Sequence, residues 1–149
     1  MVGITIDLQG EKLMSRALEM SALKIADFTA PLAASAAALQ KSFQMNFDED
    51  GGLYGGWAPR KPQMRAGARI DTWPLLQKTG AMRSSFYSDI TPTMATLGNH
   101  APYFKYHQSS APRTRLPRRV MIGITNSDKV VIQKIFQQHI LDSTAELRP

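Results

Sequence analysis

The chain has no cysteine, which excludes disulfide cross-links, thiolate metal sites and thiol nucleophiles and leaves the fold to packing alone. It also lacks any run near the ~18 consecutive apolar residues that a membrane-spanning helix needs. Even its alanine-rich stretch is interrupted by Lys24, Asp27 and Pro31. The opening MVGITIDLQGEK has no basic region followed by an apolar one, so an unprocessed cytoplasmic protein with no membrane partner is expected. Histidine is scarce: three in 149 residues, with no HExxH spacing and no carboxylates clustered beside them, which argues against a metal centre.

Other catalytic signatures are missing too. The glycines of GGLYGGW follow no strand and precede no Gly-Lys-Ser/Thr, so they do not form a phosphate-binding loop. Asp48, Glu49 and Asp50 lack the alternating acids and terminal glutamate of a calcium loop and read as a solvated helix end. Ser84, Ser85, Ser109 and Ser110 have no nucleophile-elbow context. The expectation is a protein without cofactor and without enzymatic activity; a hydrolase would rest on His107 and nearby serines alone.

Acid is nearly absent from the middle of the chain. Residues 60–119 carry eleven Lys/Arg against only Asp71 and Asp89, a local charge of +9, whereas residues 1–59 carry −3 and residues 120–149 balance, for the overall +6. One surface is therefore suited to an acidic partner, either nucleic acid or protein.

What is present is hydrophobic periodicity typical of a folded chain, with 43% apolar residues. Ile4, Ile6 and Leu8 alternate with Thr5 and Asp7 and predict a strand over residues 2–8. From residue 11 to 47 apolar residues recur every three or four positions, which predicts helix. Pro31 must divide or kink it, so a second helix starts near Thr29 or Ala30 with Pro31 in its first turn. That helix is crowded with alanine. Small side chains at Ala33, Ala34 and Ala37 permit close approach by a neighbouring subunit, although alanine also simply raises helix propensity.

Three acids and four glycines within DEDGGLYGGW end the helix. Residues 48–72 then read as an extended loop or arm anchored by Trp57, with Leu53 and Tyr54 as further subunit-contact candidates. A surface loop with helical turns around residues 61–65 is the competing reading. TWPLLQKTGAMRSSF predicts a short amphipathic element burying Leu75, Leu76, Met82 and Phe86. Alternation on either side of Thr91, Pro92 and Thr93 predicts a β-hairpin. APYFKYHQ predicts a helical turn, and Val120, Ile122 and Ile124 a further strand. Asn126 or Ser127 caps a closing helix with Val131, Ile135, His139 and Ile140 along one side. The fold class is α+β: a long N-terminal helical segment broken near Pro31, a small antiparallel sheet and a C-terminal helix, all in one domain over residues 1–149.

Between His107 and the last strand lies a basic loop with Arg113, Arg115, Arg118 and Arg119, close to Lys105 and the aromatics Tyr103, Phe104 and Tyr106. This composition suits nucleic acid, but the guanidinium fork pairs equally with carboxylates. His107 and Gln108 are candidates for pinning that loop by hydrogen bonds.

The order of these blocks resembles a known family. PLLQKTGAMRSS, then LGNHAPYFKYHQ, then a basic loop, then LPRRVMIGITNSDKVVIQKI, is similar to the virion morphogenesis, or tail completion, proteins of Mu-like tailed phages. The family's helix ending in phenylalanine, its acidic glycine-rich segment and its tryptophan correspond to Phe47, residues 48–56 and Trp57. Its Leu-x-x-Thr-Gly-x-Leu/Met-x-x-Ser block corresponds to Leu76, Thr79, Gly80, Met82 and Ser85. Its tyrosine and histidine-glutamine block corresponds to Tyr103, His107 and Gln108, and its last block to Pro117, Arg118, Ile122, Gly123, Ile124, Thr125 and Asp128. Ser109 and Ser110 stand where a glycine usually follows His-Gln, and residues 119–122 replace an Arg-Pro-Phe-Leu run. The resemblance spans about residues 43–136. It implies a virion component at the head–tail neck or upper tail, assembled in the host as a homo-oligomeric ring against other neck, connector or tail-tube proteins. Nonspecific contact with DNA in the lumen is a further implication, and a sequence-nonspecific DNA-binding protein acting alone is the alternative.

Overall fold

A computed structural model of the chain describes residues 19–20, 22–23, 26–60, 72–111 and 116–145. The strand expected over residues 2–8 and the segment 61–71 of the expected arm lie outside these residues. The element order is helix α1 (Thr29–Asp48), a 3-10 turn (Gly52–Tyr54), a short helix α2 (Ala81–Ser84), strands β1 (Phe86–Ile90) and β2 (Ala95–Asn99), helix α3 (Phe104–Gln108) and helix α4 (Asn126–Ala145). It is an α+β fold with a two-stranded antiparallel sheet.

The helical break falls where proline chemistry puts it. Helix α1 starts at Thr29, so Pro31 occupies the first turn, where its missing N–H costs nothing. Asp27 accepts from the Thr29 amide at 2.9 Å, pairing one of the N–H groups that the helix start leaves without an intrahelical partner. Phe28 donates its amide to the Pro92 carbonyl at 3.0 Å, tying the break to the hairpin turn. That turn is closed by Thr91, whose hydroxyl accepts from the Met94 amide at 3.0 Å and whose own amide donates to the Met94 carbonyl at 2.8 Å. The register pairs Phe86 with Asn99 and Ile90 with Ala95.

The core lies between the end of α1, the 72–86 segment, α3 and the chain around residue 121. Phe47, Trp57, Met82, Ala101, Phe104 and Met121 are buried, with Leu75, Leu76, Phe86 and Ile122 packed on them. Phe86 is the hub of the aromatic contacts, edge-on to Phe47 and Phe104 at 6.0 Å each and tilted to Phe43 at 5.4 Å. Burying a side chain such as Phe47, at 1% exposure, contributes about 1.5–3 kcal/mol. Arg83 fixes the 72–86 segment to α1: its guanidinium grips both Asp48 carboxylate oxygens at 2.7 and 3.0 Å and also donates to Gln44 at 2.9 Å.

Two sequence expectations are corrected. The residues around Val120, Ile122 and Ile124 join no sheet, and their backbone groups are taken by side chains rather than by a strand. Helix α4 turns Ile132, Ile135, Phe136 and His139 inward together with buried Asp128 and Ser143. Val131 and Ile140, expected on the same side as Ile135, are instead 44% and 43% exposed. Phe28 closes the α1–α4 packing, with its ring centroid 5.6 Å from that of Phe136.

Candidate functional site

The segment from Arg119 to Thr125 organises the surface that the basic region presents. The Val120 carbonyl accepts from the Trp57 indole at 2.7 Å and from the Asn46 amide at 3.1 Å. Gln108 behaves as a surrogate strand: its Oε1 accepts from the Met121 and Ile122 amides at 2.8 and 3.3 Å, and its Nε2 donates to the Ile122 carbonyl at 2.8 Å. The Arg119 amide donates to the His107 carbonyl at 2.9 Å, and the Tyr54 hydroxyl donates to the Gly123 carbonyl at 2.9 Å. Tyr54, Trp57 and Gln108, three of the residues singled out by sequence, thus spend their polar atoms on one internal network. Burial, with the Asp128 charge adding to it, raises the Tyr54 phenol above its ordinary value against the opposing hydrogen bond.

The basic residues separate into two groups. Arg119 is only 7% exposed; its Nε and Nη2 donate to the Ala58 and Pro59 carbonyls at 3.0 and 3.3 Å. Burial lowers its pKa, and the Arg60 charge lowers it further. Lys105 and Arg118 are exposed, the first with its ammonium 5.2 Å from the Tyr106 ring centre, the second donating to the Gln108 carbonyl at 3.3 Å. Arg113 and Arg115 lie outside the described residues. On α1, Ala33, Ala34 and Ala37 are all exposed, one solvent-facing strip with Lys41 and Met45, while Leu53 is partly buried.

The structure also assembles a feature that sequence reasoning missed. A cavity of about 300 Å³ is lined by the cationic side chains of Arg60, Lys78 and Arg119, by apolar Leu75, Leu76 and Met82, and by Trp73, Tyr103 and His107. The Arg60 guanidinium and the Lys78 ammonium lie 5.6 and 4.9 Å from the centre of the Trp73 ring system, a favourable placement of cations on an indole. Arg60 is held there by donating to the Trp73 and Pro74 carbonyls. No carboxylate is among the described residues lining this cavity. The available signal was a tryptophan amid basic residues in the +9 region.

Among the described residues no group of three His, Asp or Glu side chains could hold a metal ion, and no helix is long and apolar enough to cross a membrane. Neither the curated proteins nor the solved structures include a match to this chain. The model of the phage virion morphogenesis family matches residues 9–141. With most of its length matched, the chain belongs to the phage virion morphogenesis family, and its role lies in building the virion.

Proposed function

We propose that the protein acts structurally rather than catalytically, forming a homo-oligomeric ring at the head–tail neck or at the top of the tail, where it completes the tail or joins it to the head. The observation that carries this reading is the surface the subunit leaves uncovered. Among the described residues, large apolar side chains stand open to solvent: Leu23, Met94, Ile124 and Leu141 are each 58–68% exposed. Large apolar surface left open on a subunit is the mark of an interface.

A ring is a closed heterologous assembly, so each subunit must offer two different complementary surfaces. The exposed alanine strip of α1 allows a close helix approach, and the −3 and +9 regions supply complementary charge. Particles assembled without this protein test the reading. Free tails beside filled, tailless heads in electron micrographs are the expected result, whereas intact infectious particles would overturn a joining or completing role.

A further inference from the structure

The hairpin has an outer edge that the described residues leave unpaired. Two bonds, from the Thr91 amide to the Met94 carbonyl and from the His100 amide to the Ser85 carbonyl, fix which residues turn their backbone groups toward β2: Ser85, Tyr87, Asp89 and Thr91. Antiparallel pairing then turns the N–H and C=O groups of Phe86, Ser88 and Ile90 away from the hairpin. None of these groups is bonded to another described residue. The β1 edge is the more open of the two: Ser88 shares a face with Phe86 yet is exposed, whereas Leu97 opposite it is half-buried. Tyr87 does not shield it, because its ring leans the other way, over Gly98 on β2, and stacks on His100 with centroids 4.2 Å apart. β1 contains no lysine, proline or bulge, the devices that normally keep an edge strand from pairing.

Any strand could supply main-chain bonds to this edge, but the side chains select one. We propose that β1 pairs antiparallel with β1 of a second copy, in register about Ser88, joining two two-stranded sheets into one of four strands. The edge is its own complement: Phe86 then stands opposite Ile90 of the second copy, Ser88 opposite its Ser88, and Ile90 opposite its Phe86. These are the residues whose backbone groups point outward, so the two strands exchange about six hydrogen bonds. On the face shared with the core the opposed pairs are apolar with apolar and hydroxyl with hydroxyl, and on the other face neutral Tyr87 lies opposite Asp89, with no like charges opposed. Sliding by two residues in either direction loses one of the outward pairs, and one of the two shifts sets Asp89 directly against the Asp89 of the second copy. The contact is isologous, unlike a ring contact. It belongs to the free protein, where it covers an edge prone to aggregation, and it does not rest on the ring reading.

The chain has no cysteine of its own, so a single introduced thiol reports the contact. In the proposed pairing the two Ser88 Cα atoms stand about 5.5 Å apart, within disulfide reach. Full-length Ser88→Cys in a glutathione redox buffer is expected to form a covalent dimer about tenfold or more faster than Thr96→Cys, whose thiol would also be exposed, but on β2. Equal rates overturn the proposal. Ser88→Pro removes an N–H that the hairpin does not use, so its thermal melt by circular dichroism should match wild type while its self-association in sedimentation velocity weakens by about tenfold or more. Amide hydrogen exchange on wild type keeps the test decisive if the proline disturbs the strand. The Ser88 and Ile90 amides are expected to exchange fast in dilute solution and to become protected as concentration rises. Protection at every concentration would mean that the edge is covered within the chain, and fast exchange at every concentration that no second copy docks there; either result sinks the proposal.

Discussion

The Ser42 hydroxyl donates to the Asp128 carboxylate at 2.6 Å across 86 residues of sequence, joining the middle of α1 to the first turn of α4. The other oxygen of Asp128 accepts from the Thr125 amide and hydroxyl at 2.8 and 2.7 Å, and the Thr125 hydroxyl accepts from the Asp128 amide at 3.1 Å, a reciprocal cap on the helix start. Burial pushes the Asp128 carboxyl up, but the hydrogen bonds from Ser42 and Thr125 outweigh it and hold the group below its ordinary range.

The sign of the pH dependence follows. A carboxylate whose folded pKa is depressed adds stability that is present above the unfolded value, about 3.9, and is lost as pH falls through the folded one. Thermal melts of wild type are expected to fall on acidification below about pH 5, and Asp128→Asn should flatten part of that decline. Asp27, also lowered by its bond to Thr29, remains in both proteins, so the difference isolates Asp128. At neutral pH, Asp128→Asn or Ser42→Ala should cost about 1–2 kcal/mol in denaturant unfolding.

Gly123 lies under the ring of Tyr54. A Cβ at this position would stand 3.0 Å from Tyr54 Cε1 and 3.1 Å from Cδ1, tighter than the ring can accept without moving, and the ring is held by its hydroxyl on the Gly123 carbonyl. Gly123→Ala is expected to destabilise by about 1–3 kcal/mol through overpacking. Tyr54→Phe removes one hydrogen bond and is expected to cost about 1 kcal/mol. Equal melting temperatures for wild type and Gly123→Ala would show that the ring yields freely.

Gln108 satisfies three backbone groups of Met121 and Ile122 with one side chain. Gln108→Leu, similar in size and unable to bond, leaves those groups without their partner where Met121 is fully buried. The expected loss is about 2–4 kcal/mol, with faster amide hydrogen exchange at Met121 and Ile122 and little change in α1. Gln108→Glu, which keeps the acceptor and loses the donor, should recover part of the loss. Matching exchange rates in Gln108→Leu and wild type would show that the segment finds other partners.

The elements most legible in the sequence were those set by local chemistry. Pro31 marked the start of α1, and Thr91 with Pro92 marked the hairpin turn, because proline and turn hydroxyls act within a few residues. Val120, Ile122 and Ile124 alternate in the sequence, yet Met121 between them is the fully buried residue and Ile124 is 58% exposed; alternation also carries no information on whether a strand or a glutamine supplies the hydrogen bonds. The inner face of α4 was masked by Asp128 and Ser143, polar residues that are buried because Ser42, Thr125 and the His139 carbonyl receive them. The cavity was hidden too: Arg60 and Arg119 are placed by bonds to carbonyl groups and Lys78 by the Trp73 ring, and no spacing rule predicts such contacts.

The two neighbouring arginines at the end of the basic loop should behave oppositely on substitution, although their sequence context is the same. Arg119 ties the residues beside Trp57 to the chain that follows α3, through the Ala58 and Pro59 carbonyls, so Arg119→Ala strips two part-buried hydrogen bonds of their donor. Unfolding free energy is expected to fall by about 2–4 kcal/mol. Arg118 is exposed, and its bond to the Gln108 carbonyl is long at 3.3 Å; Arg118→Ala should change stability by less than about 0.5 kcal/mol. Any affinity of the isolated subunit for duplex DNA would come from exposed cations such as Arg118 and Lys105, and would show as a salt slope that drops by about one unit with each charge removed. Negligible retention on DNA across the salt series is the outcome expected of a ring subunit that meets protein neighbours. Micromolar, steeply salt-dependent binding by the wild-type monomer, weakened by Arg118→Ala, would instead support a sequence-nonspecific DNA-binding protein acting alone.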